Sequence, residues 1–296
     1  MSPSDRNAIA FPWILLAGVG LALAGSDGGA SIGGVPVFAL LVALAFAANL
    51  LAFVPAYLAR TEAFFDLTGS ATYVAVAVLA VALAPEVDER SVVLLVLVTV
   101  WALRLGTFLV RRVHRAGKDG RFDDLKHSFF RFLNVWALQA LWVSVTVAPA
   151  LAALTGRTRI PLGPPAMLGA LLWLAGFTVE VVADAQKSRF RANPGNRDRF
   201  IRSGLWSWSR HPNYFGEILL WTGVAIIAVP VLRGWQWVTL VSPVFVALLL
   251  TRVSGIPLLE KRSDEKWGGQ PDYEAYKSRT SVLIPFPPGR KPERPR

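Results

Sequence analysis

The chain has 296 residues, 53% hydrophobic and only 17% charged, with 31 Lys and Arg against 20 Asp and Glu and a formal net charge of +11. Soluble domains are charged at about a quarter of their positions, so this composition reads as an integral membrane protein. It has no cysteine, which excludes disulfides, thiolate nucleophiles, Cys-ligated zinc and iron–sulfur clusters; His114, His127 and His211 are too few and too scattered to form a metal site on their own.

Apolar runs occupy 11–25, 35–59, 70–85, 91–110, 129–154, 165–186, 214–232 and 235–256. Each approaches or exceeds the roughly 20 residues that cross a bilayer, the first and third being short enough to tilt or lie partly at the interface. The expected fold is an all-α polytopic membrane bundle of seven to eight transmembrane helices. The opening "MSPSDRNAIA" lacks the net positive charge of a secretory signal, although "ALA" at 22–24 could end one; its removal would leave seven spans and the same cytoplasmic face.

The loops between the runs set the orientation. Residues 111–128 carry six Lys and Arg and 187–212 carry seven, whereas 26–34 carries none, 86–90 only Arg90, 155–164 Arg157 and Arg159, and 233–234 Arg233. Cytoplasmic loops hold the basic excess, so both termini are expected in the cytoplasm, and membrane topology rather than a nucleic-acid partner accounts for the net charge. "GSDGGASIGG" at 25–34 and "PLGPP" at 161–165 supply turns on the other face. Residues 1–34 are read as an extra N-terminal membrane segment and turn, 35–288 as the main bundle, and 289–296 as a disordered basic tail near anionic lipid.

Ionisable residues inside the runs demand partners or a water-filled cavity, because a charge in hydrocarbon costs several kcal/mol. Arg104 lies mid-span in "LVTVWALRLGTFLV", Glu180 and Asp184 lie one turn apart on one helix face, and Glu217 opens "EILLWTG". An ion pair holding helices together would explain Arg104; three carboxylates and many arginines near one membrane face favour a polar cavity open to the cytoplasm. Arg191, Arg197, Arg199, Arg202 and Arg210 follow the Glu180–Asp184 helix. Singly they obey the positive-inside rule, but together their guanidinium forks suit a dianionic or pyrophosphate group. Neither G-x-G-x-x-G nor a P-loop is present, so a nucleotide would be held by side chains.

In "GLWSWSRHPNYFGE" at 204–217, His211 precedes Pro212 and cannot easily continue a helix, so "SWSRHP" reads as a bend and Asn213 as a candidate cap for the next helix. Trp206, Trp208 and Tyr214 suit headgroup level. An aromatic belt does not explain why Arg210, His211, Asn213 and Glu217 share the bend.

This stretch, with "RTEAFFDLTGSATY" at 60–73, "GRFDDLK" at 120–126, "EVVADAQKSRFR" at 180–191 and "YEAYKSRTSVLIPFPP" at 273–288, resembles the bacterial branch of the steroid 5α-reductase-like family. The wider superfamily includes sterol C14-reductases and isoprenylcysteine and phospholipid methyltransferases. The resemblance covers roughly 35–288. It implies an NADPH-dependent oxidoreductase of the inner membrane, acting on the conjugated double bond of a hydrophobic steroid, isoprenoid or lipid enone. It further implies cofactor contacts from Arg115, Glu180, Asp184, Arg191, Arg210, His211, Asn213, Tyr214, Glu217, Arg262, Asp264 and Tyr276. The family's steroid enzymes polarise the carbonyl with a glutamate and a tyrosine on early helices; here Asp66 stands nearest the glutamate position and Trp101 near the tyrosine position, leaving Asp66 and Tyr73 as candidates. Asp66 is equally a candidate helix N-cap. The same bend would serve an S-adenosylmethionine-dependent methyltransferase, but that cofactor has no phosphate to engage the clustered arginines.

Overall fold

The computed structural model describes residues 3–116 and 122–287, without the side chains of 3–9 and 113–116. Arg115 and the tail at 289–296 therefore fall outside the described side chains. The elements run α1 (Pro3–Gly25), β1 (Ser31–Ile32), β2 (Val35–Pro36), α2 (Val37–Leu58), α3 (Phe65–Ala82), α4 (Glu89–Ala116), α5 (Phe129–Thr155), α6 (Pro164–Ala192), α7 (Pro212–Ala228), α8 (Ser242–Leu248), α9 (Ile256–Trp267) and α10 (Pro271–Arg279). Among the described residues seven stretches are long and apolar enough to cross a membrane, and Ala10–Gly25 is a shorter apolar helix. The protein is thus an integral membrane protein with an all-helical fold; the eighth expected span is the short first one.

The chain forms two compact units, the first of Met1–Leu168 with Val224–Ser242 and the second of Gly169–Gly223 with Pro243–Arg296. In the first unit α5 is the central post, and every residue from Val143 to Thr155 is buried. Two of its polar side chains are satisfied locally: the Ser144 and Thr155 hydroxyls each donate 2.8 Å back to the carbonyl four residues earlier. A polar knot joins three helices, with the Gln139 amide donating to Asn49 Oδ1 at 2.8 Å and to the Phe65 carbonyl at 3.0 Å. Such interhelical bonds favour close packing where water is absent. The β1–β2 hairpin turns on Gly33 and Gly34, both with positive φ, the paired left-handed conformation that a two-residue hairpin turn needs.

Two local expectations change. Phe64, not Asp66, occupies the N-cap position of α3; Asp66 lies in the first turn, 3.7 Å from Arg112, where a carboxylate complements the helix dipole. Asn213 is no cap either, because α7 begins at Pro212, whose fixed φ suits the first helical position.

In the second unit α6 and α7 approach backbone to backbone. A Cβ on Gly216 would meet the Gly176 carbonyl and come within 2.7 Å of the Glu180 amide, and one on Gly223 would collide with the Gly169 carbonyl. The seven-residue spacing of Gly169 and Gly176 matches that of Gly216 and Gly223, so small residues line an antiparallel seam. That seam brings Glu180 and Asp184 beside the first turns of α7. The run expected at 235–256 is not one regular helix: a 3-10 segment Gly234–Val241 precedes α8, and a π segment Leu249–Val253 follows it. The chain then re-enters helix at α9, with the Tyr214 ring packed where a Cβ on Gly255 would lie at 2.9 Å.

Candidate functional site

The 204–217 stretch is held by its neighbours within the second unit. Gly204 has φ +62° and faces the Gln186 side chain, whose Oε1 accepts from the Leu205 amide at 3.0 Å; an L side chain is strained in that conformation. The Trp206 indole donates to the Ala183 carbonyl at 3.0 Å. From the C-terminal side, the Tyr276 hydroxyl donates to the Trp206 carbonyl at 2.7 Å. The Arg210 amide bonds the Ser281 carbonyl at 2.8 Å and the Phe286 amide the Trp208 carbonyl at 3.1 Å. The segment after α10 is therefore a strap over the bend.

Beside this bend opens a cleft of about 510 Å³, bounded by the end of α6, the loop at 196–201, the bend, α9 and α10. Its size lies within the range of small-molecule sites. Among the described residues seven cations line it, Lys187, Arg191, Arg197, Arg199, Arg210, Arg262 and Lys266, against one carboxylate, Glu260. Phe190, Phe200, Trp206, Trp267, Tyr273 and Tyr276 add aromatic surface. The loop is shaped by its own side chains: Asn193 Oδ1 accepts from the Gly195 amide at 3.0 Å, and Asn196 donates to the Phe190 carbonyl at 2.9 Å. It is clasped to α9 by Lys266 on the Arg197 carbonyl and the Trp267 indole on the Asp198 carbonyl, each at 2.9 Å.

Arg210 donates to Glu260 at 2.5 Å, and His211 Nε2 lies 2.8 Å from the other Glu260 oxygen. The His211 ring stacks on Tyr214 at 5.7 Å. Burial lowers the His211 pKa; the Glu260 hydrogen bond opposes that, and the Lys187 and Arg210 charges add to it. Burial raises the Tyr276 pKa, so its phenol stays a neutral donor.

The structure thus gathers Arg191, Arg210, His211, Arg262 and Tyr276 on the cleft. Glu180, Asp184 and Glu217 are buried on the α6–α7 seam, where Asn213 donates to Asp184 at 3.4 Å. Asp264 is engaged elsewhere, accepting from the Tyr273 hydroxyl at 2.9 Å and Lys277 at 2.7 Å, and so staples α9 to α10 behind Tyr273. In the first unit Tyr73 is buried edge-on to Trp101 at 5.1 Å, and the Arg104 guanidinium lies over the Phe108 ring at 5.3 Å. Lys187, Lys266, Glu260 and the wall of Phe200, Trp267 and Tyr273 were not among the expected site residues. A partial signal was the aromatic that closes each of the charged stretches "EKRSDEKW" and "RDRF", Trp267 and Phe200.

A family model described as a protein of unknown function (DUF1295) matches residues 52–280. The chain belongs to the DUF1295 family. All the cleft-lining residues fall inside the matched span. This member is distantly related to the steroid 5α-reductases and sterol C14-reductases. It is 25% identical over 123 residues to 3-oxo-5-alpha-steroid 4-dehydrogenase 1 of Bos taurus, covering 42% of each chain. It is 32% identical over 111 residues to Delta(14)-sterol reductase TM7SF2 of Mus musculus, covering 33% of this chain and 26% of that protein. An uncharacterized protein of Schizosaccharomyces pombe, C594.04c, is 24% identical over 228 residues, covering 67% of this chain and 64% of that protein. The chain thus spans less than two thirds of the length of each of these relatives. No solved structure matches it significantly.

Proposed function

We propose that this protein is an NADPH-dependent membrane reductase that saturates the conjugated double bond of a hydrophobic enone, a steroid, isoprenoid or lipid. The observation that carries the reading is the charge of the cleft, seven cations against one carboxylate with six aromatic rings, in a chain related to reductases. A nucleotide with a pyrophosphate and a 2′-phosphate needs several cations at once, and Arg forks bind such groups in two-point geometry. The residues present fit that group: Arg191, Arg210 and Arg262, with Lys187, Arg197, Arg199 and Lys266, would hold phosphates. Trp267, Tyr273 and Tyr276 offer flat faces for a base. Asp184, Asn213 and Glu217, with Glu180, supply polar groups for the less charged end of the ligand.

When bound, the dihydronicotinamide supplies the hydride taken up at the β-carbon of the enone, and a proton at the α-carbon completes the reduction. Tyr73 or Asp66 would polarise the carbonyl as that charge develops. Arg115 would join the phosphate contacts, and residues 35–288 would form the catalytic bundle, with 1–34 an addition and 289–296 a tail. The basic loops would face the cytoplasm from a bacterial inner membrane, where the soluble cofactor is met.

The test is titration of NADPH, NADH and S-adenosylmethionine into detergent-purified protein. NADPH should bind at least about tenfold tighter than NADH, because a 2′-phosphate adds charge-assisted hydrogen bonds of about 1.5–3 kcal/mol each. Binding of S-adenosylmethionine with none of NADPH would replace hydride transfer by methyl transfer and end the reductase reading. For the acid, Tyr73→Phe and Asp66→Asn are each expected to leave the NADPH Kd unchanged, and the variant of the polarising residue to lower kcat about a hundredfold or more.

A further inference from the structure

Glu260 is the one carboxylate among the described residues that line the cleft, and it sits on α9 (Ile256–Trp267). A negative charge there opposes the binding of any anion, so its presence calls for a different role. Both its oxygens are engaged, one by Arg210 Nη1 at 2.5 Å and the other by His211 Nε2 at 2.8 Å. The three side chains are largely withdrawn from solvent, at 14% exposed for Arg210, 5% for His211 and 23% for Glu260. Their backbones are fixed independently, since the bend carrying Arg210 and His211 is pinned by the strap at Ser281 and by Ser209, whose hydroxyl donates to the Leu283 carbonyl at 2.8 Å. A carboxylate only accepts, so the ring nitrogen facing it carries the proton; this fixes the tautomer and leaves Nδ1 the acceptor. The same bridge fixes the torsions of the Arg210 guanidinium, which otherwise has the rotamer freedom of a long chain.

We propose that Glu260 is a positioning residue of the nucleotide cleft, holding Arg210 and the Nε2–H tautomer of His211 in the arrangement that receives the cofactor. This rests on the nucleotide reading above. Electrostatics and positioning predict opposite signs for one substitution. Glu260→Gln adds a unit of positive charge to the cleft, so a purely electrostatic role makes NADPH bind tighter; a positioning role makes it bind weaker.

The experiment measures NADPH Kd on full-length detergent-purified protein, with thermal unfolding followed on the same samples. Glu260→Gln is expected to weaken NADPH about tenfold or more, and Glu260→Asp, which keeps an accepting carboxylate, to return to within about threefold of the wild type. After Arg210→Met, adding Glu260→Gln should cost little more, because the pair acts as a unit. With only three histidines in the chain, the nitrogen-15 shifts of His211 can be assigned by substitution. They should report a single Nε2–H tautomer in the wild type and a mixture in Glu260→Gln. If wild type binds NADPH and folded Glu260→Gln binds it equally or more tightly, the positioning role is wrong while the nucleotide reading stands. If wild type binds no NADPH, both fall. Should Glu260→Gln yield no folded protein, the wild-type nitrogen-15 shifts of His211 decide: a single Nε2–H tautomer supports the role, and a mixture of tautomers overturns it.

Discussion

Arginines serve two ends in this protein. In the first unit Arg90 is buried and donates to the Ile227 carbonyl in the last turn of α7, to Ile160 at 3.1 Å and to Pro161 at 3.3 Å. Arg159 reaches the Glu86 carbonyl at 2.7 Å and the Ala153 carbonyl at 3.4 Å. Each guanidinium reaches a carbonyl in the last turn of a helix, Ile227 of α7 or Ala153 of α5, where the intrahelical donor is missing, and loop carbonyls beside it. In the second unit Arg191, Arg197, Arg199 and Arg262 line an open cleft. Positive charge in a loop does not separate these cases; the acceptors within reach do. An arginine surrounded by backbone carbonyls is a structural strut, whereas several around a void with one carboxylate form a receptor for anions.

The largest expected effect breaks a strut. Arg90→Met keeps most of the side-chain volume and removes the donor to three carbonyls, so stability should fall by about 3 kcal/mol or more. Thermal unfolding in detergent reads this as a lowered Tm. NADPH Kd, measured on folded protein below that Tm, should stay within about twofold of the wild type. A large loss of affinity with unchanged Tm would reverse the assignment.

The converse follows for the receptor. Arg191→Gln with Arg262→Gln should leave Tm unchanged and weaken NADPH about a hundredfold, at about tenfold for each charge-assisted contact. Raising the ionic strength should narrow the gap from the wild type, because these cations lie at a solvent-accessible cleft. Equal weakening of NADPH and NADH would place both residues at the pyrophosphate rather than the 2′-phosphate.

The sequence announced the membrane spans and the bend, because apolar length and the His-Pro step are local signals. It did not announce how α6 meets α7, since Gly176 and Gly216 read as ordinary span residues until their backbones are seen in contact. The start of α3 was lost for a related reason: Phe64 and Phe65 precede Asp66, and an acidic residue in a first turn looks like a cap from sequence. The 235–256 run concealed a 3-10 and a π segment, because hydropathy records length and not winding. Glu260 went unread because "EKRSDEK" resembles any solvated helix face; its meaning comes from Arg210 and His211, fifty and forty-nine positions away.

A smaller effect tests the buried edge of the receptor. Burial holds the His211 pKa below its ordinary 6.5, with the Glu260 hydrogen bond opposing. The folded state therefore binds fewer protons than the unfolded state just below that value, and stability rises with pH there. The His211 contribution should be complete above about pH 6.5 and decline as pH falls toward the folded pKa. His211→Gln should flatten the limb of the Tm–pH curve just below about pH 6.5; an unchanged limb would assign it to other groups.

The smallest effect marks where the receptor ends. Arg202 belongs to the same basic loop as Arg197 and Arg199 but does not line the cleft; it pairs with Asp272 at 3.1 Å, with side chains 59% and 77% exposed. Exposed pairs of this kind contribute little, because solvent screens the attraction and ordering two long side chains costs entropy. Arg202→Ala should therefore leave Tm unchanged within error and NADPH Kd within about twofold. If Arg202→Ala instead weakened NADPH as much as Arg191→Gln does, the loop would act through its net charge alone. The distinction between cations that line the cleft and cations that merely neighbour it would then have no energetic content.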